Sequence, residues 1–326
     1  DTQLENRIKK LQGGLICFVS KAYEEKIKSF MKNYTDERII FVYQGDSYFK
    51  EEKCQYWINR KKITDYELLF QDIMDCNYRI DGIAYLWPIE ENASKICGED
   101  LIFIIKAISK TSMEVEKIFV AGTFQNKLEK NYLESLIGFQ RSMHMIIPNM
   151  IMKIVMLEKV YYDSEEIICS AMREYIDMSN DTICYISGKR KKLELNTLEH
   201  IDIEKRRVLE QGCYLITGGL GGIGYIVTKW LLYRYHARVI LTGRNMNEEK
   251  KKRLAKLKEI SPYVTYYVAD VCDLAQMRQV VNEAKEVFGK INGVFHLAGV
   301  GGQGNILTND LIEYRNRIAP KIQGTL

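Results

Sequence analysis

The segment that most constrains this chain is Cys213–Thr217 together with the glycine-rich run after it. Cys-Tyr-Leu-Ile-Thr reads as a buried strand, and Gly218, Gly219, Leu220, Gly221, Gly222, Ile223 and Gly224 come directly after it. Ile226, Val227, Trp230 and Leu231 then recur at helical spacing. A strand that turns on glycine into a helix brings backbone close to a diphosphate, whose charge meets the unpaired N–H groups and dipole of the helix. A dinucleotide therefore fits Thr217, Gly218, Gly219, Leu220, Gly222, Ile223 and Gly224. The plainer alternative is a tight turn that holds nothing, since a lone glycine cluster is a weak signal.

Three later segments weigh against the plain turn. Residues 238–242 read as the next strand and end in Gly243, Arg244 and Asn245, where an acidic residue would hold the ribose of NAD. A planar guanidinium there suits a 2′-phosphate, so the expected cofactor is NADPH. A third strand, 265–269, runs into Asp270 and Val271 at the adenine end, and Asp273 with Gln276 resembles a capping box opening the next helix. A fourth, 293–297, leads to Ala298, Gly299 and Val300, small enough for a nicotinamide ribose to lie against the backbone.

Residues 1–200 carry a different pattern. Strands are expected over 15–19, 39–42, 83–86 and 118–121, with helices over 66–74, 101–108 and 131–143, an alternation that favours a parallel α/β sheet. Gly13 and Gly14 precede a strand instead of following one, so this half is read as structural, with a boundary near residue 205. Extended segments are expected over 160–162, 183–186 and 192–195, and the basic run Lys189–Lys192 is read as a solvated turn. Trp87 is expected to fill a core edge and Pro88 to end its strand, while His144 and His200 are read as packing or surface residues.

The 47 basic and 43 acidic side chains leave a net charge of +4 with no long cationic block, which argues against nucleic acid as a partner. Eight cysteines without a C-x-x-C pair argue against a zinc or dithiol site and suit reduced, mostly buried thiols in the cytoplasm. No apolar run approaches the ~20 residues of a membrane span. The chain begins at Asp1 and reads as an excerpt of something longer.

Taken together, Thr217-Gly218-x-x-x-Gly222-x-Gly224, Gly243-Arg244, Asp270-Val271 and Ala298-Gly299-Val300 resemble the short-chain dehydrogenase/reductase superfamily. The stretches from Ile80 to Trp87 and from Leu136 to Ser142 narrow this, because they look like the structural subdomain of polyketide synthase ketoreductases. The resemblance implies an α/β fold of two Rossmann-like halves: a cofactor-free structural subdomain (1–205) and an NADPH-binding catalytic subdomain (206–326), incomplete at its C-terminus. One departure is Ile146-Ile147-Pro148, where the family often has an acidic residue before the proline.

The superfamily carries Asn, two residues, then Gly-Thr in its fourth helix; here that slot reads Lys321-Ile322-Gln323-Gly324-Thr325. Polyketide ketoreductases resemble this exchange, and Lys321 is the one catalytic residue the resemblance assigns. It implies a Tyr general acid and a Ser a few tens of residues further on, beyond Leu326, so that the fragment alone is expected to be inactive. The implied reaction is NADPH-dependent reduction of a β-ketoacyl thioester on an acyl carrier protein, beside other synthase domains. The rivals are a non-catalytic reductase-like scaffold and a free-standing NADP reductase for a small ketone. Gly301-Gly302-Gln303 stand where the family often has Leu-Asp-Asp for a D-hydroxy product, which leans the expectation to the L-hydroxy product.

Overall fold

The computed structural model describes residues 11–35, 38–51, 54–90, 98–177, 179, 181–197, 208–301, 304 and 306–325. The chain divides into two compact units, 1–196 and 197–326. The boundary expected near 205, together with His200, lies outside the described residues.

In the first unit nine strands make one sheet: β1 Gly14–Phe18, β2 Ile39–Gln44, β3 Phe49–Glu51, β4 Gln55–Ile58, β5 Ile80–Tyr85, β6 Lys117–Phe124, β7 Ile151–Glu158, β8 Ile183–Ile186 and β9 Lys189–Lys192. Their order is β3-β4-β2-β1-β5-β6-β7-β8-β9, parallel except for the terminal pairs β3-β4 and β8-β9. Helices α1 Glu24–Met31, α2 Ile63–Asp75, α3 Glu99–Thr111, α4 Lys127–Ile146 and α5 Ser164–Ile176 connect them. All residues of β1 and β6 are buried, as expected of parallel strands covered on both faces. After β1 the chain passes through Ser20 into the short turn Lys21–Tyr23, with no glycine loop.

Several local expectations are corrected. Residues 160 and 161 are not extended, although Tyr162 is; Lys159–Tyr161 is a 3₁₀ turn joining β7 to α5, whose N-terminus Asp163 and Glu166 close with a capping box. The basic run Lys189–Lys192 is an exposed edge strand, and the turn precedes it at Ser187 and Gly188, both with positive φ (52° and 70°), the geometry of a two-residue hairpin. Edge lysines also discourage pairing with another sheet. The strand expected over 192–195 therefore lies earlier, with Lys192 opposite Ile183. Trp87 is buried, in a short turn with Pro88. Of the described cysteines only Cys17 and Cys213 are fully buried; five others are half-buried, so thiols are less enclosed than expected.

Sequence patterning did not reveal β7, because Lys153 interrupts its apolar run. The Lys153 ammonium is fully buried between Glu174 Oε2 at 3.1 Å and Asp177 Oδ2 at 2.9 Å. Arg190 Nε donates to Glu174 Oε1 at 2.5 Å, and Tyr185 donates to the same oxygen at 2.7 Å. Beside them Lys117 Nζ donates to the carbonyls of Tyr175 and Asp177. The cluster joins β6, β7, the C-terminus of α5 and the β8-β9 hairpin.

The second unit has four parallel strands, β10 Cys213–Thr217, β11 Arg238–Gly243, β12 Val264–Val268 and β13 Gly293–His296, in the order β12-β11-β10-β13. Helices α6 Gly222–Tyr235, α7 Glu248–Ile260, α8 Leu274–Phe288 and α9 Leu311–Ile322 complete it. The α/β class with parallel sheets thus holds in both units. Strand order reverses at β10, and in open α/β sheets ligands bind at the carboxyl ends beside such a reversal. Among the described residues, no helix is long and apolar enough to cross a membrane.

Candidate functional site

Thr217, the last residue of β10, lies in register with Thr242 on one side and His296 on the other. The chain then turns sharply: Gly218 N–H donates to the Thr242 carbonyl at 2.8 Å and Gly221 N–H to the Gly218 carbonyl at 2.8 Å. Gly218 has φ +68°, and a Cβ there would stand 2.9 Å from the Leu297 carbonyl oxygen. A Cβ at Gly224 would stand 2.3 Å from the Gly218 carbonyl oxygen, so this glycine lets α6 close on the loop. A Cβ at Gly222, by contrast, would meet nothing within 4 Å. One glycine keeps a surface open while the others allow packing.

Helix α6 has Gly221 at its N-cap and no side-chain cap, whereas Asn247, Asp273 and Asp310 cap α7, α8 and α9. Its first N–H groups therefore face the cleft without a cap's oxygen, the arrangement that receives anions. The cleft has a volume of about 580 Å³, within the usual range for small-molecule sites. Its wall includes Gly218, Leu220, Gly222, Ile223, Gly224, Gly243, Arg244, Asn245, Asp270, Val271, Ala298 and Gly299, so most of the sequence-derived site converges on one place.

Three of those residues do not form the wall. Thr217 is 2% exposed behind the loop, and Gly219 packs on Leu241, whose Cδ2 would lie 2.7 Å from a Cβ. Both lie behind the loop and shape the cradle from that side. Lys321 is exposed beside the cleft, with Cε and Nζ 3.6 and 3.7 Å from where a Cβ on Gly299 would stand. The capping box expected at α8 also differs: Asp273 accepts from Gln276 N–H at 3.1 Å, but Gln276 Oε1 receives Asp270 N–H at 2.8 Å. Gln276 thereby holds Asp270 through Oε1 while its Nε2 donates to the N-cap side chain, Asp273 Oδ2, at 2.8 Å, instead of reaching the N-cap backbone N–H. Gly302 and Gln303 lie outside the described residues.

Two further residues at the site escaped sequence reasoning. Lys250, in the first turn of α7, lines the cleft and donates to Asn245 Oδ1 at 2.5 Å, adding a second cation near Arg244. Arg244 itself is exposed, with no hydrogen bond or ion pair among the described residues. His296 lies between β10 and α9: its Nδ1 is 2.8 Å from Thr217 Oγ1 and its Nε2 2.8 Å from the Pro320 carbonyl oxygen. A polar residue in the apolar run Gly-Val-Phe-His-Leu was the available signal. Uncapped N–H groups, an open glycine and exposed cations together fit the phosphates of a dinucleotide.

Residues 212–326 match the KR domain family. The polyketide synthase PksM of Bacillus subtilis (strain 168) is 32% identical over 320 residues, 96% of this chain and 7% of that protein. Two solved structures share the fold over nearly the whole chain. An adenylation, ketoreductase and pseudo-Asub multidomain structure of a keto acid-selecting NRPS module superposes with a TM-score of 0.80 at 20% identity, covering 97% of this chain and 29% of that one. An N-terminal ketoreductase from the macrolactin assembly line gives 0.76 at 18% identity, covering 98% and 67%. The chain spans only a small part of PksM.

Proposed function

Because the chain resembles the ketoreductase part of modular polyketide synthases, with residues 212–326 matching the KR domain family, we propose that it supplies the NADPH-binding part of a β-ketoacyl thioester reductase. The substrate is carried on an acyl carrier protein, other synthase domains are its neighbours, and it works in the cytoplasm. The first unit serves as the structural subdomain and the second as the catalytic one. One observation carries the reading: Arg244 and Lys250 follow β11, Lys321 stands beside Gly299 after β13, and the phosphate loop between them ends β10.

The cofactor, when bound, supplies hydride to the ketone carbon. Arg244 and Lys250 hold the 2′-phosphate that separates NADPH from NADH, the guanidinium by paired donors and the ammonium as a point charge. The N–H groups at Gly222, Ile223 and Gly224 receive the diphosphate, and Asp270 with Val271 bounds the adenine end. Lys321 holds positive charge beside Gly299, where it orders the ribose and lowers the pKa of the tyrosine that the resemblance implies as general acid. That proton goes to the carbonyl oxygen, giving the β-hydroxyacyl thioester.

The protein carrying this chain, supplied with NADPH and a simple β-ketoacyl thioester, is expected to oxidise NADPH and form the hydroxy product. Cofactor binding without oxidation would instead identify a reductase-like scaffold. No cofactor binding at all would remove the reductase reading and leave only a scaffold that has lost the cofactor.

A further inference from the structure

The second unit contains a hydrogen-bonded bridge that cofactor binding alone does not require. Thr217 Oγ1 accepts from Ala298 N–H at 3.2 Å and, shared with the Thr217 carbonyl, from Leu297 N–H at 3.1 Å, so its lone pairs are engaged. Its hydroxyl proton is left for His296 Nδ1, 2.8 Å away. The other ring nitrogen faces the Pro320 carbonyl oxygen at 2.8 Å, and a carbonyl can only accept. The valences therefore assign the neutral tautomer with its proton on Nε2, accepting from Thr217 and donating to Pro320.

Pro320 belongs to the last turn of α9, where carbonyls lack helical partners. Gly324 N–H, the natural partner of that carbonyl, donates to Ala319 at 3.1 Å instead. Lys321 is the next residue along the chain. A Cβ on Gly324 would stand 2.5 Å from the Pro320 carbonyl oxygen and 2.7 Å from Val271 Cγ1, so the turn has little room to move toward the cleft. His296 is then the tie that connects the phosphate-loop strand to the turn bearing Lys321.

We propose that His296 is a positioning residue, which fixes the Lys321 ammonium relative to the phosphate loop by holding Thr217 with one ring nitrogen and the Pro320 carbonyl with the other. The proposal deepens the reductase reading and rests on it for what Lys321 does. His296→Asn keeps an amide near Thr217 but is too short for Pro320. His296→Gln places an amide N–H near the Nε2 position and keeps the Pro320 bond. Thr217→Val removes the hydroxyl while leaving the ring in place.

The test is competitive acylation by N-hydroxysuccinimidyl acetate in the protein that carries this chain, read by peptide mass spectrometry, with Lys229 and Lys250 as internal references. In His296→Asn the reactivity of Lys321 relative to the references is expected to change by about 3-fold or more, the weight of one lost hydrogen bond, and in His296→Gln to stay within about 2-fold of the parent. Thr217→Val keeps the Pro320 bond, as His296→Gln does, and is expected likewise to leave Lys321 within about 2-fold of the parent. If Asn and Gln behave alike, or if all three lysines shift together, the assignment is overturned. In the reduction assay Asn is expected to lower kcat about 10-fold with the NADPH Kd held within about 3-fold, and Gln to recover most of the loss. If the parent protein consumes no NADPH, the reductase reading fails, while the acylation pattern still decides the role of His296.

Discussion

The ammonium of Lys250 lies 2.5 Å from Asn245 Oδ1 and 3.2 Å from the Asn245 carbonyl oxygen, which anchors a second cation on the wall that carries Arg244. Two cations, not one, therefore face the end of β11. Arg244→Ala is expected to weaken NADPH about 10–100-fold and to leave NADH nearly unchanged, as for the loss of a charged hydrogen-bond pair. Lys250→Ala should cost less, and the double variant should bring the two cofactors to similar affinity. Isothermal titration of each variant with both cofactors checks this; equal losses for NADPH and NADH would remove the 2′-phosphate assignment.

Gly222 and Gly224 are expected to fail differently. A side chain at Gly222 meets no protein atom within 4 Å, so Gly222→Val should keep the thermal midpoint within a few degrees while abolishing NADPH binding. At Gly224 a Cβ would press on the Gly218 carbonyl at 2.3 Å, so Gly224→Ala should lower both stability and binding. Calorimetry with a cofactor titration separates the two. Unchanged affinity in Gly222→Val would place the phosphates elsewhere.

Burial, with repulsion from Lys153 added, pushes the Lys117 ammonium down to about 7 from an ordinary 10.5, with Asp177 and Glu174 opposing the shift. Below pH 7 both folded and unfolded states hold this proton, and the cost of burying the charge is fully felt. Between pH 7 and 10.5 the unfolded state binds more protons, so stability should rise with pH by at most about 1.4 kcal/mol per unit. Urea unfolding of the full chain by pulse proteolysis with peptide mapping reads the first unit on its own. Lys117→Met should flatten the dependence; an unaltered slope in the variant would assign it to other groups.

Removing Lys153 should be costly. Glu174 is fully buried and Asp177 nearly so, and both lean on this ammonium. The Asp177 carboxyl is held at about 2 against the upward push of burial, by hydrogen bonds from Ser179 and Lys153. Lys153→Met leaves both carboxylates short of a partner and is expected to destabilise the first unit by about 3–5 kcal/mol, with part of the loss recovered in acid as the carboxylates take up protons. The same pulse-proteolysis measurement decides it: a loss below about 1 kcal/mol would mean that Arg190 and Tyr185 suffice for Glu174 without Lys153.

The parts of the second unit that sequence made legible are those governed by short-range physics. The strand, glycine turn and helix from Cys213 to Tyr235 occupy one continuous stretch, and the later strand ends announce themselves by apolar runs closing on Gly243, Asp270 and Ala298. Lys250 and His296 stayed hidden because their roles depend on partners brought near by folding; Thr217 and His296 are 79 residues apart. In the first unit Lys153 disguised β7 as a polar segment, since periodicity counts a lysine as exposed and cannot see the two carboxylates that receive it. The run Lys189–Lys192 looked like a turn because all four residues are solvated, which is equally true of an edge strand.

Strand order has a consequence for how the protein comes off the ribosome. The βαβ stretch from β10 to β12 can pair as soon as it emerges, because β10, β11 and β12 are neighbours in both sequence and sheet. The hydroxyl of Thr217, however, acquires its partners only when His296, Leu297 and Ala298 have been made and β13 has crossed to the far side of β10. During that interval the phosphate loop lacks its back wall, and a nascent chain arrested before β13 should bind cofactor far more weakly than one released after it. Cofactor affinity is thus expected to rise when the fourth strand is in place, before α9 brings Lys321 to the cleft.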